Sequence, residues 1–208
     1  MNEKGTEFRG FFGGAGYDRL ANVMGMGPSY YDAAIGELNI PEGAEVLDLG
    51  CGTGSLGIAL AKRYGAVSQV RGVDISDDQL RHARNKSEEV SCPFSFYNCS
   101  MDELDFPDST FDVVVTSMAL HETPSAVRRG AIREVSRVLK TGGVFVLIEW
   151  SRPRFGLLGM LWLPFLFFGD WRDNWNNRYA ELCLEQGLSR EHDSYINSLA
   201  RRQVFVKK

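Results

Sequence analysis

The sequence is poor in cysteine and has no excess of basic residues, and each shortage excludes a class of protein. Its 208 residues include four cysteines, at positions 51, 92, 99 and 183, and none belongs to a Cys-x-x-Cys pair. That spacing fits no zinc site, so we predict no metal and four free thiols in a reducing cytoplasm. With 23 Lys and Arg against 27 Asp and Glu, the chain lacks the basic surface of a nucleic-acid-binding protein.

Long apolar runs are also scarce. Residues 1–10 contain no apolar core, so we expect no signal peptide. Residues 155–168 carry no charge, but Pro164 interrupts them. A membrane-spanning helix needs about 20 apolar residues, so this segment is too short to span a membrane and long enough to lie against an apolar partner.

The remaining composition is that of a globular domain, with 44% hydrophobic and 24% charged residues. From residue 44 onward, apolar strands alternate with helices, which predicts a mostly parallel sheet covered on both faces. The predicted strands are 45–49, 67–75, 94–97, 111–116 and 144–149, and the helices are 56–64, 76–87 and 123–139. A helix at 174–186, two antiparallel strands at 188–196 and 203–207, and two early helices at about 18–25 and 29–38 complete the prediction.

Capping residues set several of these boundaries. Ser76 is expected to cap the helix that follows it, and Thr123 to cap the next one with Pro124 in its first position. Gly142 and Gly143 are expected to stop that second helix. Residues 1–16 combine five glycines with three phenylalanines, so this arm either docks onto the protein or frays.

A glycine-rich turn, Asp48-Leu49-Gly50-Cys51-Gly52-Thr53-Gly54, follows the first strand and precedes a helix. Such a turn lets a nucleotide-like ligand approach bare backbone at the carboxyl end of the strand. The spacing of Gly52, Gly54 and Gly57 also satisfies the dinucleotide fingerprint, so the glycines alone leave NAD and S-adenosylmethionine open. The carboxylate of Asp48 would repel a pyrophosphate and suits an ammonium group, which favours S-adenosylmethionine.

Asp74 ends the second strand, 20 residues after Gly54. Its two carboxylate oxygens can accept hydrogen bonds from both hydroxyls of a ribose. A plain helix cap is the alternative role, but Ser76 can already fill it. We therefore predict that Asp74 binds a ribose.

Four motifs together resemble the class I S-adenosylmethionine-dependent methyltransferases, with the closest likeness to the ubiquinone and menaquinone biosynthesis branch. They are DLGCGTG at 48–54, VDI at 73–75, LDFPDSTFDVV at 104–114 and VLKTGG at 138–143. The resemblance covers residues 44–149. It implies a single Rossmann-like α/β domain with a doubly wound seven-stranded sheet in the order 3-2-1-4-5-7-6, the last strand antiparallel.

The resemblance also implies site residues. Counting back from Leu104 puts the adenine-contacting pair at Cys99 and Ser100 or at Ser100 and Met101, where the usual Asp is missing and Asp102 is a substitute. His121 follows the fourth strand and is either a general base or a wall of the methyl-donor cavity. The full set predicted to bind the cofactor is Tyr17, Asp48, Gly50, Cys51, Gly52, Thr53, Gly54, Asp74, Ile75, Ser100, Met101, Asp102, Ser117 and Met118.

The sequence thus predicts an S-adenosylmethionine-dependent methyltransferase acting on a small lipophilic acceptor, quinone-like or lipid-like. The alternatives are an NAD-dependent oxidoreductase and an inactive protein that binds S-adenosylmethionine. Residues 1–43 are expected to cap the site and residues 44–208 to form the methyltransferase domain. Within it, the hydrophobic insertion at about 152–175 is an acceptor lid, a homodimer interface or a peripheral membrane contact.

Overall fold

The computed structural model describes residues 3–8, 10, 13–23, 25–36, 38–65, 67–152, 174 and 176–208. Six helices and seven strands lie within these ranges. In chain order they are α1 Gly14–Val23, α2 Pro28–Ile35, β1 Ala44–Leu49, α3 Ser55–Arg63, β2 Val67–Asp74, α4 Asp77–Ser87, β3 Phe94–Asn98, β4 Phe111–Ser117, α5 Ser125–Val138, β5 Leu139–Trp150, α6 Arg178–Glu185, β6 Leu188–Tyr195 and β7 Ala200–Lys207.

The strands form one sheet in the order β3-β2-β1-β4-β5-β7-β6, which confirms the predicted topology. The first five strands are parallel, and β7 is antiparallel to both of its neighbours. Because the order reverses between β1 and β4, the carboxyl ends of these two strands diverge into a crevice where such sheets bind ligands.

Both faces of the sheet are buried, which explains the nearly continuous apolar runs in its central strands. On one face, α5 and α6 pack against Leu47 and Leu49 of β1. On the other face, α2 and α3 pack against Val46 of the same strand. Successive side chains of a strand point to opposite faces, so one short run supplies both cores.

Several predicted boundaries were wrong by a few residues. The early helices begin sooner than predicted and end sooner, because Pro28 opens α2 and Gly36, with φ of 49°, ends it. Helix α5 begins at Ser125 because Pro124 is extended, with ψ of 151°, and the hydroxyl of Thr123 donates to the carbonyl of Leu120 instead of capping. The Ser76 cap is confirmed, since its side chain accepts from the Gln79 amide.

The two glycines at 142 and 143 do not stop α5, which ends at Val138, directly before β5. They lie inside β5, where Gly142 has a φ of 78°. The hydrophobic segment 155–168, with Pro164, and nearly all of the predicted insertion at 152–175 lie outside the described residues. Among the helices that the structure describes, none has the length and apolar character needed to cross a membrane.

Candidate functional site

A solvent-open cleft of about 820 Å³ lies at the carboxyl edge of the sheet, where the strand order reverses. Its walls come from the loop after β1, the end of β2, the loops after β3 and β4, and the N-terminal arm. Most of the residues predicted to bind the cofactor line it, namely Tyr17, Asp48, Gly50, Cys51, Gly52, Thr53, Asp74, Ile75, Ser100, Met101, Ser117 and Met118. Three predicted site residues do not line it: Gly54, Asp102 and His121.

The glycine loop brings bare backbone to the cleft. Gly50 has a φ of 68°, and a Cβ there would lie 2.5 Å from the Cβ of Ala119, so a side chain is excluded. Gly52 has a φ of 51°, and a Cβ there would meet no atom within 4 Å. The loop therefore leaves open space in front of Gly52, where a ligand can approach the backbone.

Asp48 is buried at the base of this loop. Its Oδ2 accepts a hydrogen bond of 2.9 Å from the Gly57 amide, so part of its role is to tie α3 to β1. Burial raises the pKa of Asp48 to about 7, against the opposing effect of that hydrogen bond. A carboxyl group in this state gains from a cationic partner, because a nearby positive charge favours its ionised form.

Asp74 fixes two turns at once. Its Oδ2 accepts from the Gly52 amide and its Oδ1 from the Ser76 amide, both at 2.9 Å. Burial raises the pKa of Asp74, although these hydrogen bonds oppose the shift. A carboxylate has about four acceptor positions, so both oxygens can still accept hydrogen bonds from a ligand.

Tyr17 and Tyr31 line the cleft, and Tyr30 contacts Ser117 at the end of β4. Met118 is held in the left-handed region, with φ of 53°, a strained conformation typical of functional sites. The hydroxyl of Tyr30 lies 3.0 Å from the Ser117 Oγ and fixes the same loop. Burial raises the pKa of Tyr31 to about 12 and also raises that of Tyr17, so both lining phenols stay neutral at physiological pH.

The N-terminal arm forms part of the cleft wall, although it contains none of the sequence motifs. The Thr6 amide donates to the carbonyl of Glu122 at 3.0 Å, and the Phe8 carbonyl accepts from the Ser76 Oγ at 2.6 Å. The ring of Phe8 packs edge-to-face on Tyr17, with centroids 5.3 Å apart. The arm is therefore docked, and Lys4, Gly5, Thr6 and Phe8 all line the cleft.

A polar cluster fastens α1 beside the glycine loop. Asp18 accepts from the Thr53 hydroxyl at 2.5 Å and from the Lys86 ammonium at 2.7 Å, while the His82 Nε2 lies 3.3 Å away. The Lys86 ammonium also donates to the Ser55 Oγ at 2.7 Å. This cluster joins α1, the glycine loop and α4. The helix that follows the arm is therefore fixed directly to the loop.

Comparison with known proteins agrees with this geometry. Residues 46–143 match the methyltransferase domain model. The chain is 35% identical over 154 residues to a demethylmenaquinone methyltransferase from Bacillus licheniformis, an alignment covering 73% of this chain and 64% of that relative. Residues 46–143 form a methyltransferase domain similar to those of class I.

Solved structures support the fold of this methyltransferase domain. An S-adenosylmethionine-dependent methyltransferase from Aquifex aeolicus superposes with a TM-score of 0.69 at 16% identity, covering 92% of this chain and 95% of that one. The 4+2 cyclase SpnF superposes at 0.67 with 19% identity, covering 100% and 87%. One fold thus hosts different chemistries, so the reaction must be argued from the site. The chain also spans less than two thirds of the length of the curated relatives that it matches.

The cofactor of this family is S-adenosyl-L-methionine, and the residues of the cleft fit it. The carboxyl groups of Asp48, Asp74 and Glu122 all line the cleft, which suits a ligand with an ammonium and a sulfonium and opposes a pyrophosphate. The open space before Gly52 admits the ligand, and the Asp74 oxygens match two ribose hydroxyls.

His121 does not line the cleft but lies between two carboxylates, a position that matches neither of its predicted roles. Its Nδ1 lies 2.9 Å from Glu149 Oε2 and its Nε2 lies 3.3 Å from Glu122 Oε1. Burial alone would lower the pKa of His121, but Glu149 and Glu122 outweigh it and raise the pKa to about 9. An imidazolium between two carboxylates has no lone pair for a proton, so this geometry opposes a general base at neutral pH.

Potential metal-ligating side chains are scattered over the part of the chain that the structure describes. No group of three or more potential metal-ligating side chains occurs among those residues. All four cysteines are free, as predicted. Cys51 and Cys99 both line the cleft, and burial raises the pKa of both thiols, so they are neutral there and not nucleophiles.

Proposed function

We propose that this chain transfers a methyl group from S-adenosylmethionine to a small lipophilic acceptor of the quinone type. The observation that carries the proposal is the convergence of the Asp74 carboxylate and the bare backbone at Gly52 in one cleft, joined by a hydrogen bond of 2.9 Å. The demethylmenaquinone methyltransferases to which the chain is similar support the reaction class and the type of acceptor.

Each end of the cleft has a distinct task in this proposal. Asp74 accepts hydrogen bonds from the ribose hydroxyls, and Asp48 pairs with the ammonium group at the base of the glycine loop. When bound, S-adenosylmethionine supplies a methyl group already activated by its sulfonium. The remaining task of the protein is to align donor and acceptor, which can contribute effective molarities of about 10⁵–10⁸ M.

Residues 1–43 act as the cap of the site. The cap places three neutral rings at the cleft, those of Phe8, Tyr17 and Tyr31. Such rings exclude water and attract a sulfonium by cation–π interaction. A dry cleft strengthens the interactions of Asp48 and Asp74, because charges interact more strongly at low dielectric. His121 has a positioning role here, since it holds Glu122 at the cleft wall.

The proposed contact with the acceptor rests on the composition of one segment of the chain. The sequence between residues 152 and 175 holds three of the four tryptophans of the chain and the uncharged segment 155–168. We propose that this insertion contacts the lipophilic acceptor, with a homodimer interface and a membrane surface as the competing roles. The four free thiols support a cytoplasmic location.

The test offers the purified chain S-adenosylmethionine together with a short-chain demethylnaphthoquinone reduced to its nucleophilic hydroquinone, whose ring carbon exchanges a proton for the methyl group, and follows both products by mass spectrometry. We expect equal amounts of S-adenosylhomocysteine and of a quinone heavier by one methylene. The Asp74→Ala variant is the control and should form neither. Binding of S-adenosylhomocysteine without turnover of any offered acceptor would favour an inactive binding protein, and binding of NAD alone would favour the oxidoreductase alternative.

A further inference from the structure

A line of three ionisable side chains runs from the core to the wall of the cleft. It begins at Glu149 on β5, which is 4% exposed. The His121 Nδ1 lies 2.9 Å from Glu149 Oε2, and the His121 Nε2 lies 3.3 Å from Glu122 Oε1. Of these three residues only Glu122 lines the cleft, so its carboxylate is the one that a ligand can contact.

The buried end of this line is held in place by its neighbours. Glu149 Oε1 accepts a hydrogen bond of 2.7 Å from the Leu120 amide, while Glu149 Oε2 faces His121. The indole of Trp150 packs edge-to-face on the imidazole of His121, with ring centroids 6.4 Å apart. The imidazole is thus fixed from two directions, and its Nε2 stays directed at Glu122.

Glu122 is an ionised hydrogen-bond acceptor. The hydrogen bond from His121 lowers the pKa of Glu122 and outweighs burial, which alone would raise it. A hydrogen bond from the Thr6 side chain of the arm acts in the same direction as that from His121. A carboxylate has about four acceptor positions, so Glu122 keeps capacity for a hydrogen-bond donor on a ligand.

The order of the strands separates Glu122 from the other two carboxyl groups of the cleft. β1 lies between β2 and β4, so the glycine loop stands between the end of β2 and the loop after β4, which carries Glu122. The loops after β1 and β4 touch, since a Cβ at Gly50 would lie 2.5 Å from the Cβ of Ala119. With a ribose at Asp74 and an ammonium group near Asp48, Glu122 is the cleft carboxylate left for a second ligand.

The hydroquinone form of the acceptor has a hydroxyl proton that such a carboxylate can take. A phenolic hydroxyl has an ordinary pKa of about 10, so a carboxylate does not remove its proton before methyl transfer. As the ring carbon bonds to the methyl group, positive charge develops on the ring and its hydroxyl, which becomes a strong acid. A carboxylate of low pKa is then a sufficient base, and it is ionised throughout the neutral range.

We propose that Glu122 is a catalytic residue that accepts the hydroxyl proton of the acceptor during methyl transfer, with His121 and Glu149 as positioning residues. The ring carbon forms a bond to the methyl carbon, the electron pair of the broken C–S bond stays on sulfur, and the hydroxyl proton moves to Glu122. The resulting dienone loses its ring proton to water while Glu122 returns a proton to the oxygen, so one proton is released overall. The inference rests on the proposed function.

The experiment measures the formation of S-adenosylhomocysteine from S-adenosylmethionine and the reduced demethylnaphthoquinone between pH 6 and 9. We expect Glu122→Gln to lower kcat about 100-fold at pH 7, since general base catalysis contributes about 10²–10⁴-fold. The wild-type rate should be nearly constant from pH 6 to 8. The rate of Glu122→Gln should instead rise about tenfold per pH unit, because an acceptor whose hydroxyl, of pKa about 10, is already ionised needs no base. Its affinity for S-adenosylhomocysteine by calorimetry should stay within about twofold of the wild-type value.

Further variants separate the roles along the line. Glu122→Asp keeps a carboxylate and should retain the flat pH profile at a lower rate. His121→Gln alters the support of Glu122 and should lower the rate by a similar factor at every pH. Glu103→Gln is the matched control, because the Glu103 side chain is 71% exposed, pairs with Lys4 and does not line the cleft. It should match the wild-type chain in rate and in pH profile.

The outcomes distinguish this inference from the proposed function. A Glu122→Gln variant with the wild-type rate and pH profile would overturn the inference and leave the proposed function intact. A flat profile together with a loss of affinity for S-adenosylhomocysteine of tenfold or more would assign Glu122 to the cofactor and also contradict the inference. Absence of methyl transfer by the wild-type chain would overturn the proposed function and the inference with it.

Discussion

The glycine loop at 48–54 and the N-terminal arm with α1 line one cleft, but a sequence motif marks only the loop, whereas the composition of the arm left docking and fraying open. The loop has a contact only nine residues away, between Asp48 and Gly57, besides longer ones from Gly52 to Asp74 and from Thr53 to Asp18. The arm's contacts span long stretches of chain, as between Lys4 and Asp102 or between Asp18 and Lys86. A motif can encode a ligand contact within one turn, whereas a cap depends on partners that only the fold brings together.

The largest effect is expected on the loop side. Asp74→Ala removes the acceptor for two ribose hydroxyls, and hydrogen bonds to charged groups contribute about 1.5–3 kcal/mol each. It also frees the amides of Gly52 and Ser76, which loosens the loop itself. We expect the affinity for S-adenosylhomocysteine to fall at least tenfold by calorimetry.

Asp193→Ala is the control for this comparison, since Asp193 pairs with Arg201 in the β6–β7 ribbon and does not line the cleft. It should leave the affinity unchanged. An Asp74→Ala variant that remains folded and binds as tightly as the wild-type chain would show that the ribose is held elsewhere.

His121, which the sequence predicts at the site, is expected to affect stability more than ligand binding. Its pKa is raised from 6.5 to about 9, so its contribution to stability is full below pH 6.5 and is lost as the pH rises through 9. The contribution is about 3 kcal/mol at most, at about 1.4 kcal/mol for each pKa unit. Between pH 6.5 and 9, the free energy of unfolding should fall more steeply in the wild-type chain than in His121→Gln.

Urea unfolding at several pH values measures this difference. Equal slopes for the two proteins would contradict the ion-paired state of His121. A rate of methyl transfer that falls in His121→Gln only above about pH 7, where an imidazole of ordinary pKa is neutral, would instead restore the role of this residue as a general base.

The comparison also explains what could be predicted from the sequence. The alternation of strands with helices and the glycine-rich turn are local patterns that the sequence shows directly, whereas the strand order was implied only by the resemblance to the class I methyltransferases. The one-residue error at Ser125 arose because Thr123 bonds back to Leu120, a competing contact that capping rules do not weigh. The sequence could not show that Asp102 lies outside the cleft, because its position depends on Gly130 and Lys4, residues that are close to it only in the folded chain.

Asp48 has two opposite effects on stability. Its hydrogen bond from the Gly57 amide stabilises the fold, and its ionisation in a buried position destabilises it. With its pKa raised from 3.8 to about 7, folding is opposed by its ionisation, and stability falls as the pH rises from 4 to 7. Asp48→Asn should therefore melt no lower than the wild-type chain at pH 8 while binding S-adenosylmethionine several-fold more weakly. Thermal melts and calorimetry at pH 8 check both parts, and unchanged affinity would remove Asp48 from the ligand contacts.

The smallest effect is expected on the arm side. Asp18 is partly exposed, and ion pairs of that kind contribute about 0.2–1 kcal/mol. Asp18→Asn should speed the dissociation of S-adenosylhomocysteine by about two- to fivefold in a stopped-flow experiment, because α1 is held less firmly against Thr53. Asp32→Asn, at an exposed position of α2, is the control. Equal dissociation rates for both variants would mean that the Asp18 cluster does not hold the cap.

The central claim is that the loop and the arm form one binding site, and hydrogen–deuterium exchange with and without S-adenosylhomocysteine tests it most directly. We expect the amides of residues 50–55 and those of residues 4–8 to exchange more slowly together when the ligand is bound, while β6 at Leu188–Tyr195 is unchanged. Protection of the glycine loop with no change in the arm would contradict the claim.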